Sequence, residues 1–288
     1  MEIDDYRAVI AVLETGSFNG AAARLHRVPS ALSARLRGLE RELGCALFTK
    51  AGRGVEPTPA ALELARAGRS ILAISQSALS RIASNEPAGP LRIGALESLS
   101  GARMPGILAA LLKAHPALEL SFEAGISGTL LEGVFGGKLD AALLIDPPAD
   151  PLLYRKVAFE EHLSLVAAAG HPAIRSPADL KTDTLIAFSA GCSYRERILE
   201  WFRLVGRKPG RLIEVKSYAA LAACAAAGMG VAAMPDSLIR RVSDGALSVH
   251  PLPEAIARAP VEFVRLAALE TPNVLAFKRI LFEVTKAA

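Results

Sequence analysis

The feature that most constrains this chain is the way glycine, serine and proline divide its first 58 residues into three helical patterns. Apolar residues recur at steps of three and four over residues 3–13, which predicts an amphipathic helix. Gly16 ends that helix, and Ser17 is placed to cap a second, short helix over residues 18–25. Pro29 then fits the first turn of a third helix, where its missing N–H is harmless. The segment is therefore predicted to be three closely packed helices.

The third helix has two different faces. Its apolar face consists of Leu32, Leu36, Leu39 and Leu43. Its opposite face is small and basic, and consists of Ser30, Ser33, Ala34, Arg37 and Arg41. Two short helices joined by a tight turn, the second with such an outer face, are typical of a helix-turn-helix whose second helix enters the major groove. Small residues on that face let the backbone approach the base edges, while the arginines reach phosphates.

Basic charge is concentrated in this part of the chain. Residues 24–53 hold seven Arg or Lys and two Glu, a formal excess of +5, whereas the whole chain carries +4. Residues 47–49 are predicted to form a strand and residues 50–55 a glycine-rich wing, with Arg53 at its tip placed for the minor groove. The alternative is an ordinary helical domain with solvated arginines, because helix-turn-helix spacing alone is a weak signal.

Four runs carry a resemblance to a known family: residues 16–26 (GSFNGAAARLH), 29–33 (PSALS), 39–44 (LERELG) and 47–48 (LF). Together with the wing and Thr58, they resemble the LysR-type transcription regulators, and the similarity extends over the whole chain. The resemblance implies a winged helix-turn-helix, a long dimerisation helix and a two-lobed effector domain. It also implies double-stranded operator DNA and a small-molecule effector as partners. The chain is expected to form a homodimer, and two such dimers a homotetramer.

The sequence departs from the family pattern at the start of the recognition helix. Many members have Gln-Pro where this chain has Pro29-Ser30, and an arginine where it has Ala34. Ser33 does match. The usual base contacts of the family therefore cannot be copied onto this chain one by one. The predicted DNA-binding set is Ser30, Ser33, Ala34, Arg35, Arg37 and Arg53.

One long helix is predicted over residues 59–83. Small and apolar residues alternate steps of four and three along it, which is a coiled-coil period: Ala61, Ala65, Gly68, Leu72, Ser75, Leu79 and Ile82. This seam pairs either with a second copy of the chain or with its own domain. The predicted domains are the winged helix-turn-helix (1–58), the linker helix (59–84), a Pro- and Gly-rich hinge (85–90) and the effector domain (91–288).

Strands and helices alternate after the hinge, which predicts a parallel α/β sheet. Strands are expected at residues 91–96, 116–123, 140–145, 163–167, 185–188, 213–215, 229–233 and 261–267, with a last helix at 272–286. Lobe I is expected to hold residues 91–158 and 261–288, and lobe II residues 159–260. The predicted fold class is thus α + α/β: a winged helix-turn-helix with a long linker helix, then a two-lobed α/β effector domain resembling periplasmic binding proteins.

Hydroxyls and one thiol cluster at three strand-to-helix turns of this domain. Ligands of such sheets sit outside the carboxyl ends of the strands, where helix N-termini offer free N–H groups that suit anions. Each of these side chains alone is equally well explained as a helix cap. The expected effector is a small organic acid or an amino-acid-like compound. Its predicted binding residues are Ser98, Ser100, Ser127, Thr129, Cys192 and Ser193.

Other functions fit the sequence less well. Five scattered histidines, and the lack of a nucleophile elbow, a phosphate loop or metal-ligand spacing, argue against an enzyme, a cofactor or a metal. A transporter's solute-binding protein is disfavoured by the N-terminal helices and by the absence of a signal peptide. With no apolar run long enough for a membrane span, a cytoplasmic protein is expected. Redox sensing between Cys192, with a lowered thiol pKa, and Cys224 is a further alternative.

Overall fold

The computed structural model describes residues 1–52, 54–83, 86–242 and 245–286. The chain divides into two compact units. The first is built mainly from Met1–Asn85, and the second mainly from Glu86–Val134, Lys138–Arg265 and Pro272–Ala288. Among the described residues, no helix is both long and apolar enough to cross a membrane.

The first unit contains four helices and one hairpin. They are α1 (Ile3–Thr15), α2 (Phe18–Arg24), α3 (Pro29–Leu43), β1 (Phe48–Ala51), β2 (Gly54–Pro57) and α4 (Pro59–Ala83). The predicted end of α1 and the predicted starts of α2 and α3 are confirmed. Gly16 ends α1 in the left-handed conformation (φ 65°), and the Ser17 hydroxyl accepts a hydrogen bond from the Gly20 N–H at 3.1 Å. Pro29 occupies the first turn of α3.

The core of this unit lies where the three short helices cross. Leu32, Leu36 and Leu39 turn their apolar face inward and are almost completely buried, as are Ala21 and Ala22 of α2. The two alanines allow the close helix approach that the sequence predicts. Burying a leucine side chain contributes about 1.5–3 kcal/mol, so the leucine stripe fixes which face of α3 is left outside.

The predicted seam of α4 divides into two halves. Ala61, Ala65 and Gly68 are buried. A Cβ on Gly68 would lie 2.7 Å from the Tyr6 ring, so this half packs against α1 of its own unit. Leu79, further along the same face, is 64% exposed. The small residues therefore serve the unit's own core, and only the second half is free to pair; the Ile82 side chain lies outside the described ones.

Backbone N–H groups of the wing and of the residue before it form hydrogen bonds with α3 and with the turn after α1. One Glu40 carboxylate oxygen accepts from the N–H groups of Leu47 (2.7 Å) and Phe48 (3.4 Å). The Val55 N–H donates to the Gly16 carbonyl at 3.0 Å, where a Cβ on Gly54 would come within 2.7 Å of the same oxygen. Glu40 of α3 and the turn after α1 thus hold both strands of the hairpin beside α3.

The second unit alternates strands and helices. Its strands are β3 (Gly89–Leu96), β4 (Leu118–Gly125), β5 (Ala141–Ile145), β6 (Leu153–Ala168), β7 (Thr184–Ala187), β8 (Arg211–Glu214), β9 (Ala232–Pro235), β10 (Leu247–Pro251) and β11 (Arg258–Leu266). Its helices are α5 (Glu97–Ser100), α6 (Met104–Ala114), α7 (Ser127–Phe135), α8 (Ser193–Arg203), α9 (Tyr218–Ala226), α10 (Asp236–Val242), α11 (Glu254–Ala257) and α12 (Pro272–Lys286).

One long strand joins the two lobes of this unit. In one lobe β3 runs parallel to β4 and β5, and β11 closes the group antiparallel to β5. In the other, β10 and β9 flank β6, and a bridge from Leu185 to Val231 brings in the parallel pair β7 and β8. Because β6 also neighbours β11, it runs through both groups. The two lobes share one continuous seven-stranded sheet, with β7 and β8 at its side.

Several predicted bounds are wrong. The strand expected at 163–167 is the second half of the sixteen-residue β6, whose first half includes exposed polar residues such as Lys156 and therefore lacks an apolar run. Strand β10 was not predicted, and β11 begins at Arg258 rather than at 261.

Candidate functional site

The outer face of α3 carries exposed polar and small residues. Ser30, Ala34 and Arg37 are exposed, and Arg41 follows one turn later with its Nε 3.4 Å from the Arg37 carbonyl. Ser33 is half-buried and lies with Arg37 and Lys50 along a groove between α3 and the β1–β2 hairpin. This face is the consequence of the buried leucines, which leave the serines and arginines on the solvent side.

Arg35 does something different from what the sequence predicts. Its Nε donates to Asp5 at 2.6 Å and its terminal nitrogen to Glu2 at 2.8 Å. These carboxylates raise the pKa of the guanidinium, the bond to Glu2 being the larger cause. Its fork is taken up by the start of α1, so Arg35 is less available to DNA than the exposed Arg37. Arg53 lies outside the described residues.

The basic residues of this unit therefore fall into two groups. Arg24 pairs with Glu14 at 2.7 Å and Arg27 with Asp4 at 3.2 Å, so these cations are neutralised locally. On α3 and the β1–β2 hairpin, no carboxylate of the described part of the chain lies within ion-pair distance of Arg37, Arg41 or Lys50. Charge available to a polyanion is thus gathered on α3 and the wing.

A narrow cleft lies in the second unit, at the ends of several strands and the starts of the helices that follow them. It encloses about 10 Å³, room for about one water molecule and far below the roughly 300–1,000 Å³ of most ligand pockets. A ligand larger than a water molecule must separate the walls of the cleft. It is lined by Leu96, Glu97, Ser98, Gly125, Ile126, Ser127, Phe188, Cys192, Ser193, Tyr194 and Tyr218.

Two of the predicted serines join the lobes across this cleft. The Ser193 hydroxyl, at the start of α8, lies 2.9 Å from the Ser127 hydroxyl at the start of α7. Both also contact the Ile145 carbonyl at the end of β5, at 2.7 and 3.2 Å. Beside them the Gly128 N–H donates to the Gly191 carbonyl at 3.0 Å. The hydroxyls that a ligand would use are bonded to one another here.

A second polar group surrounds Ser98. Its hydroxyl lies 3.2 Å from the Tyr194 hydroxyl, and Tyr218 lines the same cleft. Both tyrosines are buried, and burial raises the pKa of each phenol, so both keep their protons at neutral pH. The wall formed by Ser98, Tyr194 and Tyr218 is therefore polar and uncharged.

The other predicted ligand residues differ in position. Ser100 donates to the Glu97 carbonyl at 2.6 Å and Thr129 to the Ile126 carbonyl at 3.0 Å; each closes its own turn, and neither lines the cleft. Cys192 does line it, but the predicted lowering of its thiol pKa is wrong. Burial raises that pKa and outweighs the hydrogen bonds at the start of α8.

Glu97 is the lining residue with the most unusual electrostatics. It is half-buried, and burial raises the pKa of its carboxyl, while a hydrogen bond from the Tyr218 N–H partly offsets the effect. Among the described lining residues it alone can carry a full charge near neutral pH, and it forms no ion pair with any described residue. The described residues also contain no cluster of three or more His, Cys, Asp or Glu that could hold a metal ion.

Comparison with known proteins assigns both units of the chain to one family. A family model described as bacterial regulatory helix-turn-helix protein, lysR family, matches residues 3–62, and one described as LysR substrate binding domain matches residues 84–286. The chain belongs to the LysR family of transcription regulators. It is a DNA-binding regulator with an effector-binding domain, and the predicted fold class is confirmed.

Curated relatives of this LysR regulator are similar along nearly their whole length. An uncharacterized HTH-type transcriptional regulator of Bacillus subtilis, YusT, is 32% identical over 266 residues, covering 92% of this chain and 89% of the relative. The HTH-type transcriptional regulator GltR of the same organism is 29% identical over 280 residues, covering 96% and 95%. These relatives are transcriptional regulators, not enzymes.

Solved structures share the fold. A full-length OxyR variant from Pseudomonas aeruginosa, in which one cysteine is replaced by aspartate, has a TM-score of 0.73 at 22% identity, covering 99% of this chain and 95% of that one. ArgP from Mycobacterium tuberculosis has a TM-score of 0.72 at 18% identity, covering 98% and 96%. Full-length CbnR complexed with its target DNA has a TM-score of 0.55 at 21% identity, covering 99% and 100%.

The LysR pattern did not reveal every residue of the cleft. Glu97, Tyr194 and Tyr218 were not predicted as ligand residues. Each stands in the first turn of its helix, directly after a strand or a turn, and that position could have revealed all three. The prediction was based on clusters of hydroxyl groups, and it therefore missed the Glu97 carboxylate and the phenols of Tyr194 and Tyr218.

Proposed function

We propose that this LysR regulator binds operator DNA with the outer face of α3, through Ser30, Ser33, Ala34 and Arg37. The observation that carries the proposal is the separation of cations in the first unit, where Arg37 stays exposed while Arg35 is bound to Glu2 and Asp5. Unpaired arginines on a helix with small neighbours suit phosphate contacts, which supply most of the affinity for DNA. Because the target is chromosomal DNA, the protein acts in the cytoplasm.

The same proposal includes a homodimer that pairs through the second half of α4, and a homotetramer built from two dimers. The exposed Leu79 supports the dimer, since the seam before it is already buried against α1. A dimer presents two α3 helices to two half-sites about one helical turn of DNA, or a multiple of it, apart. We propose the domain limits that the sequence predicts, with the helix-turn-helix at 1–58, the linker helix at 59–84, the hinge at 85–90 and the effector domain at 91–288.

The effector is proposed to bind in the cleft of the second unit. Ser98, Ser127, Cys192 and Ser193 line it, which supports four of the six predicted residues. The cleft opens to admit a small organic acid or an amino-acid-like compound. Since the Ser127–Ser193 contact holds the two lobes together, a ligand that replaces it favours a different lobe arrangement. Regulation then requires that DNA binding differ between the two arrangements.

Salt-dependent DNA binding tests the α3 assignment. Arg37→Ala should weaken binding about tenfold at low salt and reduce the slope of log affinity against log salt by about 1, because one phosphate contact is lost. Fluorescence anisotropy with a labelled operator fragment measures both quantities. The matched control is Arg240→Ala, which removes an exposed arginine from α10 of the other unit.

Two results would contradict the assignment. One is an Arg37→Ala protein with the affinity and salt slope of the unmodified protein. The other is an equal loss in Arg240→Ala, because a general reduction of positive charge would then explain the effect without any role for α3.

A further inference from the structure

We infer that the cleft selects an effector carrying a protonated amine, with the Glu97 carboxylate as its counter-ion. The inference rests on the proposed function, in which the effector binds in this cleft, and it narrows the chemical class. An amino acid or another small amine would qualify. A simple organic acid would not.

The first support is the charge of the lining. Ser98, Ser127 and Ser193 are neutral hydroxyls, and the phenols of Tyr194 and Tyr218 stay protonated. The Cys192 thiol is kept protonated by burial. The remaining described lining residues are apolar or glycine, so no lysine or arginine of the described lining is available to balance an anionic ligand.

The second support is the position of Glu97. Its side chain is half-buried at the start of α5 and lines the cleft together with Tyr218, the first residue of α9. A carboxylate drawn out of water without a cation is unfavourable, and an opposite charge within about 4–6 Å removes that cost. An ammonium group in the cleft would supply the missing charge and would donate hydrogen bonds to the carboxylate.

The third support is the opposite side of the cleft. Helices α7 and α8 both begin there, at Ser127 and Ser193, and helix N-termini favour negative groups. A compound with an amine at one end and a carboxylate at the other can therefore satisfy both sides. A plain carboxylate gains only the helix side, and meets repulsion from Glu97.

Glu97 also has a purely structural explanation, because an acidic residue in a first helical turn interacts favourably with the helix dipole. Helix α5 is only four residues long, so this interaction is limited. The structural role would change stability but would not change which ligands bind. Ligand selectivity therefore separates the two explanations.

The test is calorimetric titration of the full-length protein with matched triplets of compounds: an α-amino acid, the carboxylic acid that lacks its amine, and the amine that lacks its carboxyl group. The twenty protein amino acids and their derivatives form the panel. Amine-bearing members should bind. Glu97→Gln should weaken them at least about tenfold, since a charge-assisted hydrogen bond is lost. Glu119→Gln, at an exposed position of β4, is the control and should change nothing.

Ser193→Ala separates failure of this inference from failure of the cleft itself. If carboxylic acids bind without an amine and lose affinity in Ser193→Ala but not in Glu97→Gln, the cleft is the effector site and the amine inference is overturned. If compounds bind Ser193→Ala and Glu97→Gln as tightly as they bind the unmodified protein, both the amine inference and the proposal that the effector binds in the cleft fail. A panel in which no amine binds at millimolar concentration also overturns the inference.

Discussion

The outer face of α3 and the cleft of the second unit handle polar groups in opposite ways. Arg37 of α3 and Lys50 of β1 stand in solvent with no described carboxylate nearby, while buried leucines hold α3 from beneath. In the cleft, Ser127 and Ser193 bond each other and only Glu97 lacks an opposite charge. The outer face of α3 can attract a polyanion electrostatically without any rearrangement. In the cleft, internal hydrogen bonds must be replaced by hydrogen bonds to the ligand.

This difference teaches where specificity resides in each region. Cations spread over a helix surface give affinity that is strong, sensitive to salt and weakly selective. A narrow cleft with one charge rejects ligands of the wrong sign, because unpaired buried charges are costly. The predictions below probe each region, beginning with the largest expected effect.

The α3 surface is proposed to work in pairs, which a change in α4 can break. Leu79→Asp places a charge on the exposed half of the seam and should abolish dimerisation, measured by light scattering. Operator affinity should fall by more than about 100-fold, because linked binding of two half-sites is lost. Ile74→Asp is the matched control: Ile74 is 55% exposed and lies about 140° around the helix from Leu79. Undiminished dimerisation of Leu79→Asp would contradict the assignment.

Arg35 sharpens the contrast between cations that stabilise and cations that bind. Arg35→Ala should lower the free energy of unfolding by about 1 kcal/mol, since mostly buried Asp5 loses its charged partner. Its slope of DNA affinity against salt should stay unchanged. Arg7→Ala, which breaks the exposed pair with Asp4, should have almost no effect on stability. Denaturation followed by far-UV circular dichroism measures the free energy of unfolding of both variants. A reduced slope of DNA affinity against salt in Arg35→Ala would show instead that Arg35 contacts DNA.

Replacing Glu97 gives the smallest expected effect, which is a change in the stability of the protein without bound effector. Burial raises the pKa of its carboxyl above the unfolded value, so the ionised form costs stability at neutral pH. Glu97→Gln should raise the free energy of unfolding by about 0.5 kcal/mol at pH 7, after allowance for solvent screening. The gain should vanish as the pH falls below the unfolded pKa, where both states are protonated. Denaturation followed by the fluorescence of Trp201, buried in the same unit, measures it; lower stability of Glu97→Gln at pH 7 would contradict the account.

The two regions also differ in how much the sequence predicts. In the first unit, local signals suffice: Gly16, Ser17 and Pro29 mark the helix ends, and the leucine spacing of α3 fixes its faces. What the sequence could not predict there is pairing at a distance. Arg35 shares the helix of Arg37, but thirty residues separate it from Asp5, and only the packed structure brings the two together.

In the second unit the strands were predicted where apolar runs are continuous, as in β5, and were missed where they are not, as in β10. The cleft gathers residues from four separate helix starts. Ser98 meets Tyr194 across 96 positions of sequence, and Ser127 meets Ser193 across 66. No local pattern encodes such contacts. The turn-opening hydroxyls therefore indicated the right region, but not which of them, Ser98 or Ser100, lines the cleft.

The central claim is that this protein recognises a specific operator, and fluorescence anisotropy tests it most directly. The unmodified protein is titrated with labelled DNA from just upstream of its own gene, at two salt concentrations, with unlabelled random DNA as competitor. The account predicts tight binding that resists the competitor and weakens as salt rises. Binding that random DNA removes completely, or no binding at either salt concentration, would contradict it.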